Sequence, residues 1–468
     1  MDKRHLSLSI IIIFMQAYSF TWYKTCIDTV RGSGAYGTDI EVDSLGYPHI
    51  IYKEIYDLGL IYCHWDGSQW LYEDVSESLG VKVKGTSGEI SLELDTLGYP
   101  HIATPGPTYF YKDIAGWHRE AGIDPWSTDI DWVSLRLDSK GYPHMAYNDK
   151  YEIGPDEYTS VRYCYKGSTG WHVEEIAEPN PNITSVGEYG VSLVLDSLDL
   201  PHIIYSMADD TINTVGYAYK DTSGVWHKEF CEPYEPYHGW AHYPNVEIDS
   251  GGRLVVGYGF GSYDIDLKWG YRDSSGWHCE YVDTVGSPGY DVGMTLKDKK
   301  WPYIANTVLE SYNWLTLTWQ DSLGWHKEGV DSISSTAVMN LSSNGVVIDR
   351  FGYIHISYRK SFGGVDEDRM WYATTNPEVG IGERFSGNKS ILRVSSIVYG
   401  ESLKIGWGIS GDVDIGIYNI SGREIKQVYS GSGRKKIRAD IGSIVSGIYF
   451  VVLKSGKGLV VKKITIIR

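Results

Sequence analysis

The stretch that decides the fold is VDSLGYPHIIY at Val42–Tyr52, and versions of it recur along the chain. Close copies occupy Leu92–Ile102, Leu135–Tyr147 and Leu193–Tyr205, and weaker copies occupy Val246–Tyr258, Leu296–Ala305 and Val347–Tyr358. Successive copies lie roughly fifty residues apart, a period typical of propeller blades. The repeat therefore predicts a β-propeller before any single residue is considered.

A second phrase, GWHxE, follows five of the seven copies of the first. It occupies Gly116–Glu120, Gly170–Glu174, Gly276–Glu280 and Gly324–Glu328, with the variant VWHKE at Val225–Glu229. Between the two phrases, apolar and polar residues alternate in short runs bounded by Gly, Pro, Asp and Ser, which is typical of strands and tight turns. Each repeat thus predicts four antiparallel strands, the content of one propeller blade.

Seven such units can be counted. They start near Thr38, Glu89, Asp131, Tyr189, Pro244, Asp291 and Asn344. The seventh stops after its third strand, Met370–Thr374, without a GWHxE phrase. However, Thr21–Val30 (TWYKTCIDTV) matches Gly324–Ile333 (GWHKEGVDSI) almost position for position. We therefore expect the N-terminal strand to complete the last blade as its outermost strand and close the ring, which leaves no open sheet edge.

The ends of the chain differ from the repeats. Lys3 and Arg4 precede the apolar run Leu6–Met15 and the small residues of Ala17-Tyr18-Ser19, a pattern typical of a cleaved secretory signal, with an uncleaved anchor as the alternative. No later segment is long and apolar enough to span a membrane. We predict a signal peptide at 1–19, the propeller at 20–375, a linker at 376–387 and a small immunoglobulin-like β-sandwich at 388–468.

Charge supports a boundary near residue 376. The formal net charge is −18, which argues against a nucleic-acid partner because phosphates would be repelled. From Asn376 onward there are 15 Lys and Arg against 7 Asp and Glu, whereas the preceding part carries 27 against 53. Five cysteines lie at unrelated repeat positions, so they indicate buried small residues rather than disulfides or zinc ligands.

The last part of the chain resembles a known family. VDIGIYNISGREIKQVYSG at Val413–Gly431, and then SGIYFVVLKSGKGLVVKKITIIR at Ser446–Arg468, resemble the C-terminal sorting domain of the type IX secretion system. The matching positions are Tyr418, Gly422, Gly447, Tyr449, Lys462 and Lys463. The resemblance implies a bacterial protein that crosses the periplasm and is then secreted or displayed on the outer cell surface, with the type IX machinery as its partner.

The propeller also distantly resembles sialidase-type propellers, because its turns contain aspartate. The sialidase Asp box, SxDxGxTW, is not matched by LDSxGYPH, and the inner strands offer mainly Arg136 where three arginines are needed to hold a carboxylate. Nucleophile-elbow, P-loop and Rossmann patterns are absent. The sequence therefore gives no catalytic motif.

Antiparallel strands sort the loops onto two faces. We call the face with the LDSxGYP and KDxxGW turns the repeated-turn face, and the face with all other connections the variable face. Ligands are expected on the variable face, where loops differ between blades. The connection Glu232–Tyr243 has no copy elsewhere and is rich in aromatics, so the candidate ligand-binding residues are Trp126, Tyr234, Tyr237, His238, Trp240 and His242. A loop that merely covers the next blade would need the same residues.

Other polar residues have structural interpretations. Ten of the 14 histidines occupy repeat positions, where a scaffold role, with hydrogen bonds between neighbouring blades, is expected. Acidic stretches between second and third strands, including Asp149–Glu157 and Asp366, Glu367 and Asp368, could bind calcium through their oxygens. No fixed calcium pattern is present, so solvated carboxylates and no cofactor are expected.

Three functions remain open from sequence alone. The favoured hypothesis is an exported binding module for a glycan or a protein. The first alternative is an extracellular polysaccharide-degrading hydrolase or lyase, for which no carboxylate pair can be selected. The second is a structural surface protein.

Overall fold

The computed structural model is almost entirely β-structure. It describes residues 20–28, 37–54, 59–83, 89–127, 130–153, 156–177, 185–208, 213–232, 239–309, 312–334, 338–361, 369–379, 392–394, 397–399, 402–407, 412–419, 423–432, 436–455 and 458–467. One short helix, α1 (Val75–Leu79), occurs in these residues. The predicted signal peptide lies outside the described residues.

Seven four-stranded antiparallel sheets occur in the described residues, and each forms one propeller blade. Blade 1 consists of β2 (Thr38–Val42), β3 (Pro48–Lys53), β4 (Leu60–Trp65) and β5 (Trp70–Asp74). Blade 2 consists of β6 (Ser91–Leu94), β7 (Pro100–Thr104), β8 (Thr108–Asp113) and β9 (Gly116–Glu120). Blade 3 consists of β10 (Val133–Leu137), β11 (Pro143–Ile153), β12 (Asp156–Gly167) and β13 (Gly170–Ala177).

The next three blades follow the same order. Blade 4 consists of β14 (Ser185–Leu195), β15 (Pro201–Ala208), β16 (Asn213–Lys220) and β17 (Trp226–Phe230). Blade 5 consists of β18 (Trp240–Ile248), β19 (Leu254–Gly261), β20 (Asp266–Asp273) and β21 (Gly276–Asp283). Blade 6 consists of β22 (Tyr290–Lys297), β23 (Trp301–Leu309), β24 (Tyr312–Asp321) and β25 (Gly324–Ser334).

The seventh blade joins the two ends of the propeller. It consists of β26 (Val338–Ile348), β27 (Ile354–Ser361), β28 (Arg369–Thr374) and, from the N-terminus, β1 (Tyr23–Cys26). β1 runs antiparallel to β28 with Tyr23 opposite Thr374. The seven-bladed propeller closed by an N-terminal outermost strand is therefore confirmed.

In five blades the repeated turn is held by its aspartate and backed by a His–Tyr pair. In blade 3, Asp138 Oδ1 accepts hydrogen bonds from the backbone N–H groups of Lys140 and Tyr142, both at 2.8 Å. Behind this turn, His144 Nδ1 lies 2.5 Å from the Tyr163 hydroxyl. The equivalent pairs are His49–Tyr62, His101–Tyr109, His202–Tyr217 and His355–Tyr372. The scaffold role of these histidines is confirmed, but their bonds lie within one blade and not between blades, because the tyrosine stands on the adjacent strand.

Neighbouring blades are joined instead by the tryptophans of the outermost strands. In blade 3, Trp171 Nε1 donates to Glu120 of blade 2 at 2.7 Å, and its ring packs edge to face on Tyr109 of that blade, with centroids 5.7 Å apart. Lys166 donates to the same glutamate. The corresponding indole–carboxylate pairs at other seams are Trp117–Glu73, Trp226–Glu174, Trp325–Glu280 and Trp22–Glu328. The last pair attaches the N-terminal strand to blade 6.

The innermost strands are also linked side by side. The backbone N–H of Leu92 in blade 2 donates to Asp39 of blade 1 at 2.6 Å. Ser91 accepts in the same way from Leu135, and Ser134 from Leu193, both at 3.1 Å. The innermost strand of a blade has backbone N–H groups that its own sheet does not pair, and small polar side chains of the neighbouring blade accept from them.

The C-terminal part forms a small β-sandwich, as predicted. Its strands are β29 (Leu392–Val394), β30 (Ile397–Tyr399), β31 (Ser402–Trp407), β32 (Val413–Asn419), β33 (Glu424–Gly431), β34 (Lys436–Asp440), β35 (Gly447–Ser455) and β36 (Gly458–Ile467). They form a three-stranded sheet, β29-β31-β34, and a five-stranded sheet, β30-β36-β35-β32-β33. Leu403, Ile405, Ile415 and Val451 belong to one buried core contributed by both sheets. The sequence predicted one strand at 390–397, where the structure has the separate strands β29 and β30.

The first residues of the predicted linker pack on the propeller. Asn376 is buried, and its backbone N–H donates to the Thr374 hydroxyl at 3.0 Å. Val379 is also buried and shares a core with Ile27 and Met370 of the closing blade. Residues 380–387 lie outside the described residues.

We predict that a chain beginning after Asp28 will aggregate or lose several degrees of melting temperature, because β28 then becomes an exposed edge and Glu328 loses Trp22. The control is the chain beginning at Phe20, which keeps β1. Thermal melting and light scattering measure the difference, and a peptide of residues 20–30 added in trans should restore stability. Equal melting of the two chains would contradict closure by β1.

Candidate functional site

The innermost strands of blades 4 to 7 carry irregularities that those of blades 1 to 3 lack in the described residues. In β14 the register shifts between Val186 and Val191, and in β18 between His242 and Asn245. β22 shifts between Tyr290 and Gly293, and β26 between Leu341 and Val346. Each bulge adds residues near the variable end of the innermost strand, where bulges redirect side chains. The sequence prediction missed them, and its four start points fall inside these strands.

The bulges of blades 4 and 5 pack against each other. Gly190 has φ 139°, and a Cβ built there would lie 2.6 Å from Pro244 Cδ, so this close approach requires glycine. Beside it, the Glu188 carbonyl accepts from Trp132 Nε1 of blade 3 at 2.7 Å. The backbone N–H of Tyr189 donates to Ser206 at 2.9 Å. The bulge of blade 4 is therefore fixed from both sides.

This arrangement places Tyr189 and Trp240 face to face. Their rings are parallel within 6°, with centroids 5.7 Å apart, and Trp240 is 40% exposed. The sequence placed Trp240 in a connecting loop, whereas the structure places it at the start of β18, opposite Gly261. A strand holds a side chain more rigidly than a loop, so the pair forms a fixed aromatic surface on the variable face. Tyr189 was not among the predicted residues, although the spacing of Gly187 and Gly190 around it signals an irregular strand.

His242 lies beneath this pair. It is 8% exposed, and its ring centroid is 5.0 Å from that of Tyr189. His242 Nε2 lies 3.2 Å from the Gly261 carbonyl oxygen. Since a carbonyl oxygen only accepts, Nε2 carries the proton and Nδ1 keeps a lone pair. Burial lowers the pKa of His242, so the imidazole is neutral at neutral pH.

Tyr243 is the next residue that the sequence prediction missed. It adopts φ 50°, which is uncommon outside glycine, within the bulge of β18. Its ring packs edge to face on Trp132 of blade 3 with centroids 5.5 Å apart. Burial raises the pKa of its hydroxyl, with smaller contributions from the carboxylates of Asp291 and Glu89 in blades 6 and 2. Tyr243 therefore contacts blade 3 and lies within electrostatic range of carboxylates of blades 2 and 6.

Charged residues accompany these aromatics at the same end of the ring. Lys150 Nζ pairs with Asp131 at 2.7 Å, and the backbone N–H of Glu89 donates to the Asp131 carbonyl at 2.6 Å. Lys53 is buried, and burial lowers its pKa to about 8, with Glu89 and Asp131 opposing the shift. A lysine whose pKa approaches neutrality is a feature of functional sites as well as of buried ion networks.

The innermost strands of blades 1 and 2 carry acidic side chains. Burial raises the pKa of Glu93 to about 7, while Arg136, 3.2 Å away, opposes the shift. Burial and the neighbouring carboxyls of Glu93 and Asp39 raise the pKa of Glu41 well above its ordinary value. Arg136 is therefore surrounded by carboxyls and is not part of an arginine cluster for a substrate carboxylate.

Trp126 lies on another blade connection of the variable face and is 81% exposed. Its backbone N–H donates to Asp124 Oδ1 at 3.1 Å, and Asp124 Oδ2 accepts from Tyr147 and Arg162, both at 2.8 Å. The loop that carries the exposed indole is thus held by the hydrogen bonds of the buried Asp124. No ring contact joins Trp126 to Trp240 in the described residues.

Exposed tryptophan is confined to the variable face. Three tryptophans are exposed: Trp126, Trp240 and Trp314 near the tip of the β23–β24 hairpin. All the others are buried or half-buried. Single exposed apolar residues are ordinary, but tryptophans restricted to one face indicate a surface with a binding role.

Several predicted residues lie outside the described residues: Tyr234, Tyr237, His238, Gly422, Asp366, Glu367 and Asp368. The acidic stretch Asp149–Glu157, predicted as a loop, belongs mostly to the long β11–β12 hairpin. Asp149 there is buried, 3.4 Å from Arg162 Nε. No cluster of three or more His, Cys, Asp or Glu side chains arranged to hold a metal occurs in the residues described.

The sorting-domain residues stand on adjacent strands of the five-stranded sheet. Tyr449 in β35 lies opposite Asn419 in β32 and Ile464 in β36. Lys462 and Lys463 lie opposite Val451 and Phe450. Lys454 Nζ donates to the Tyr418 hydroxyl at 3.1 Å, and Gly447 begins β35. The family motif therefore describes the central hairpin of the sheet and its neighbour.

Comparison with known families identifies this part of the chain. Residues 400–467 match the family described as a secretion system C-terminal sorting domain. The C-terminal domain is a type IX sorting domain, which directs export to the cell surface or secretion. No helix in the described part of the chain is long and apolar enough to cross a membrane.

Solved structures share the propeller. A PL25 ulvan lyase has TM-score 0.51 at 11% identity, covering 75% of this chain and 94% of that one. A protein of unknown function from Dyadobacter fermentans has TM-score 0.43 at 10% identity, covering 75% and 97%. The SapL1 lectin has TM-score 0.38 at 12% identity, covering 70% and 94%. At this identity the likeness to the ulvan lyase shows the fold alone. No curated protein matches the chain in sequence.

One prediction tests the bulge of blade 6. Burial raises the pKa of Asp291 from 3.8 to about 6, although Thr307 and Asn340 donate to its Oδ2 at 3.1 and 3.3 Å. Between these two pKa values the unfolded chain releases the proton and the fold retains it, so wild-type stability falls as pH rises. The stability of D291N relative to wild type should rise by on the order of 2–3 kcal/mol across this window and then level off.

Denaturant unfolding of both proteins, from below pH 3.8 to above pH 6, measures this difference. Taking the difference between the two proteins cancels the titration of groups that they share. A relative stability that does not change with pH would contradict a buried carboxyl at this bulge.

Proposed function

We propose that the exported propeller binds a glycan on its variable face. The observation that carries this proposal is the parallel Tyr189–Trp240 pair, in which the Trp240 ring is exposed. In the same proposal, residues 20–375 form the binding domain, 376–387 the linker and 388–468 the sorting domain.

Flat aromatic rings suit sugars because the C–H groups on one side of a pyranose are apolar while its hydroxyls seek polar partners. The Tyr189–Trp240 pair offers the flat surface. Lys150 and Asp131 offer charged hydrogen-bonding groups on the variable end of the neighbouring strands. A protein-binding surface would be expected to expose a contiguous apolar patch, whereas in the described residues Trp126 and Trp240 are not joined by a ring contact.

Two further observations support an extracellular glycan as the ligand class. The sorting domain directs the chain to a place where polysaccharides are encountered. The ulvan lyase of similar fold has also been solved bound to -[GlcA(1-4)Rha3S]-, again at TM-score 0.51 and 11% identity. That oligosaccharide is a ligand of the lyase, and here it suggests only the class to test first.

We expect Trp240→Ala to weaken glycan binding about five- to a hundredfold, by analogy with the 1–3 kcal/mol lost when an aromatic is removed from a base-stacking surface. Tyr189→Ala should weaken binding as well, whereas Tyr189→Phe keeps the ring and should bind like wild type. A glycan array selects the ligand, and calorimetry on that ligand measures the affinities.

The matched control is Phe351→Ala, which removes an exposed aromatic from the repeated-turn face. It should leave the affinity unchanged. Wild-type affinity in Trp240→Ala would remove the proposed site. Absence of any glycan binding, together with specific capture of a protein, would favour the protein-binding alternative.

A second function, polysaccharide cleavage, is favoured by His242. Its Nδ1 lone pair makes the neutral imidazole a candidate general base. In a lyase reaction the base removes the proton next to the uronate carboxyl, the C–O bond to the leaving sugar breaks, and a carbon–carbon double bond forms. The leaving oxygen then needs a proton, for which the neighbouring Tyr189 hydroxyl is a candidate donor.

If the protein cleaves uronic-acid polysaccharides, His242→Gln should reduce the rate about 10²- to 10⁴-fold while binding is retained. Because burial lowers the pKa of His242, the wild-type rate should persist to a pH below 6.5 and be lost on further acidification, when the imidazole is protonated. Absorbance of the unsaturated product measures the rate.

The control for this test is His278→Gln on the repeated-turn face, where the imidazole bonds to Asp273 and Ser275. It should leave the rate unchanged. Absence of product with the polysaccharide that the array identifies would leave binding alone as the function.

A further inference from the structure

A cavity of about 240 Å³ opens between blades 4 and 5 on the repeated-turn face, opposite to the proposed glycan site. Blade 4 contributes Asp196, His202 and Tyr219, and blade 5 contributes Gly252, Leu254 and Arg272. The volume lies below the roughly 300–1,000 Å³ of pockets for drug-sized ligands, so it suits one small ring.

The seam of blades 4 and 5 departs from the repeat on both sides. Leu198 of blade 4, at the position of Phe351, is 66% exposed and does not line the cavity, and Leu254 of blade 5 replaces the proline of blades 1 to 4. At the seam of blades 7 and 1, a Cβ on Gly46 would lie 3.1 Å from the ring of Phe351, which fills the equivalent space.

The flanking seams are also closed by hydrogen bonds that this seam lacks. Ser139 of blade 3 donates its N–H and hydroxyl to Asp199 of blade 4 at 2.9 and 2.6 Å. The Ser250 N–H of blade 5 donates to the Lys299 carbonyl of blade 6 at 2.6 Å. Between blades 4 and 5, no hydrogen bond joins the two turns in the described part of the chain.

Arg272 gives the cavity its donors. Blades 2 to 4 have lysine at this position: Lys112, Lys166 and Lys220. Arg272 binds Glu229 of blade 4 through Nε and one terminal nitrogen, at 2.9 and 2.8 Å. This contact uses two of the five N–H groups of a guanidinium and leaves three for a ligand.

Asp196 gives the cavity a hydrogen-bond acceptor, and the space between Asp196 and His202 can hold a ligand hydroxyl. Asp196 Oδ1 accepts from the backbone N–H groups of Leu198 and Leu200. The other oxygen, Oδ2, lies 3.7 Å from His202 Nε2, which is too long for a hydrogen bond. A hydroxyl placed between them could bond to both. The stacked rings of His202 and Tyr219, with centroids 6.0 Å apart, form the adjacent wall.

We propose that this cavity binds a neutral monosaccharide-sized polyol, such as the terminal residue of a glycan. Its hydroxyls would meet Asp196 and Arg272, and its C–H face would meet Tyr219 and Leu254. An anionic ligand is disfavoured because Asp196 and Glu229 together outweigh the charge of Arg272. The site is independent of the proposed glycan site, since it lies on the other face.

The test uses saturation-transfer NMR with the methyl glycosides of galactose, glucose, xylose, fucose and rhamnose as probes. The methyl glycoside of glucuronate, with its carboxylate free, is the anionic comparison. Wild type should show transfer from at least one neutral glycoside and none from the glucuronate. Arg272→Lys restores the residue of blades 2 to 4, keeps a cation for Glu229 and should weaken binding about ten- to a hundredfold.

Lys166→Arg makes the reverse exchange at the seam of blades 2 and 3 and should leave binding unchanged. Binding that persists in Trp240→Ala and is lost in Arg272→Lys assigns the ligand to the cavity, and the opposite pattern assigns it to the variable face and overturns the proposal. Equal binding in wild type and Arg272→Lys, or no transfer from any neutral glycoside, also overturns it.

Discussion

The propeller depends on the contact between the tryptophan of each outermost strand and the blade before it. The indole ring packs edge to face on a tyrosine while its N–H reaches a glutamate, as Trp171 does with Tyr109 and Glu120. Aromatic pairs contribute about 0.5–1.5 kcal/mol beyond burial, and hydrogen bonds to charged groups about 1.5–3 kcal/mol at well-shielded positions. The outermost strand, otherwise the most exposed element of a blade, becomes the one that joins neighbours.

The contact between tryptophan and glutamate is altered at two seams of the ring. At the seam of blades 7 and 1, Thr25 replaces the glutamate, and Trp70 keeps only its edge-to-face contact with Tyr372. At the seam of blades 4 and 5, the guanidinium of Arg272 occupies both oxygens of Glu229, and the buried Trp277 Nε1 has no acceptor in the described residues. The latter seam also holds the cavity, so a changed polar contact and an unfilled space coincide there.

Sequence predicted the features that depend on local chemistry. The Asp-Gly-Pro turns, the strand alternation and the match of Thr21–Val30 to a GWHxE strand gave the blade number and the closure, because each is set within a dozen residues. The bulges were missed, because extra residues opposite a single partner interrupt the alternation that identifies a strand. Trp240 and His242 therefore looked like loop residues, although β18 includes both. The contacts of Tyr189 with the next blade depend on that bulge and could not be predicted from spacing.

Because β1 pairs with β28, the ring can close only after the last propeller strand has been made. Tyr23, near the start, finds its partner only when Thr374 is available. A chain that emerges N-terminus first must keep its first strand unpaired while the intervening blades are made, and contacts of such long sequence separation form slowly. The periplasmic interval before outer-membrane passage is therefore a period in which an incomplete ring exposes two sheet edges. Such unpaired strand edges favour association with other chains, and this exposure ends only when the ring closes.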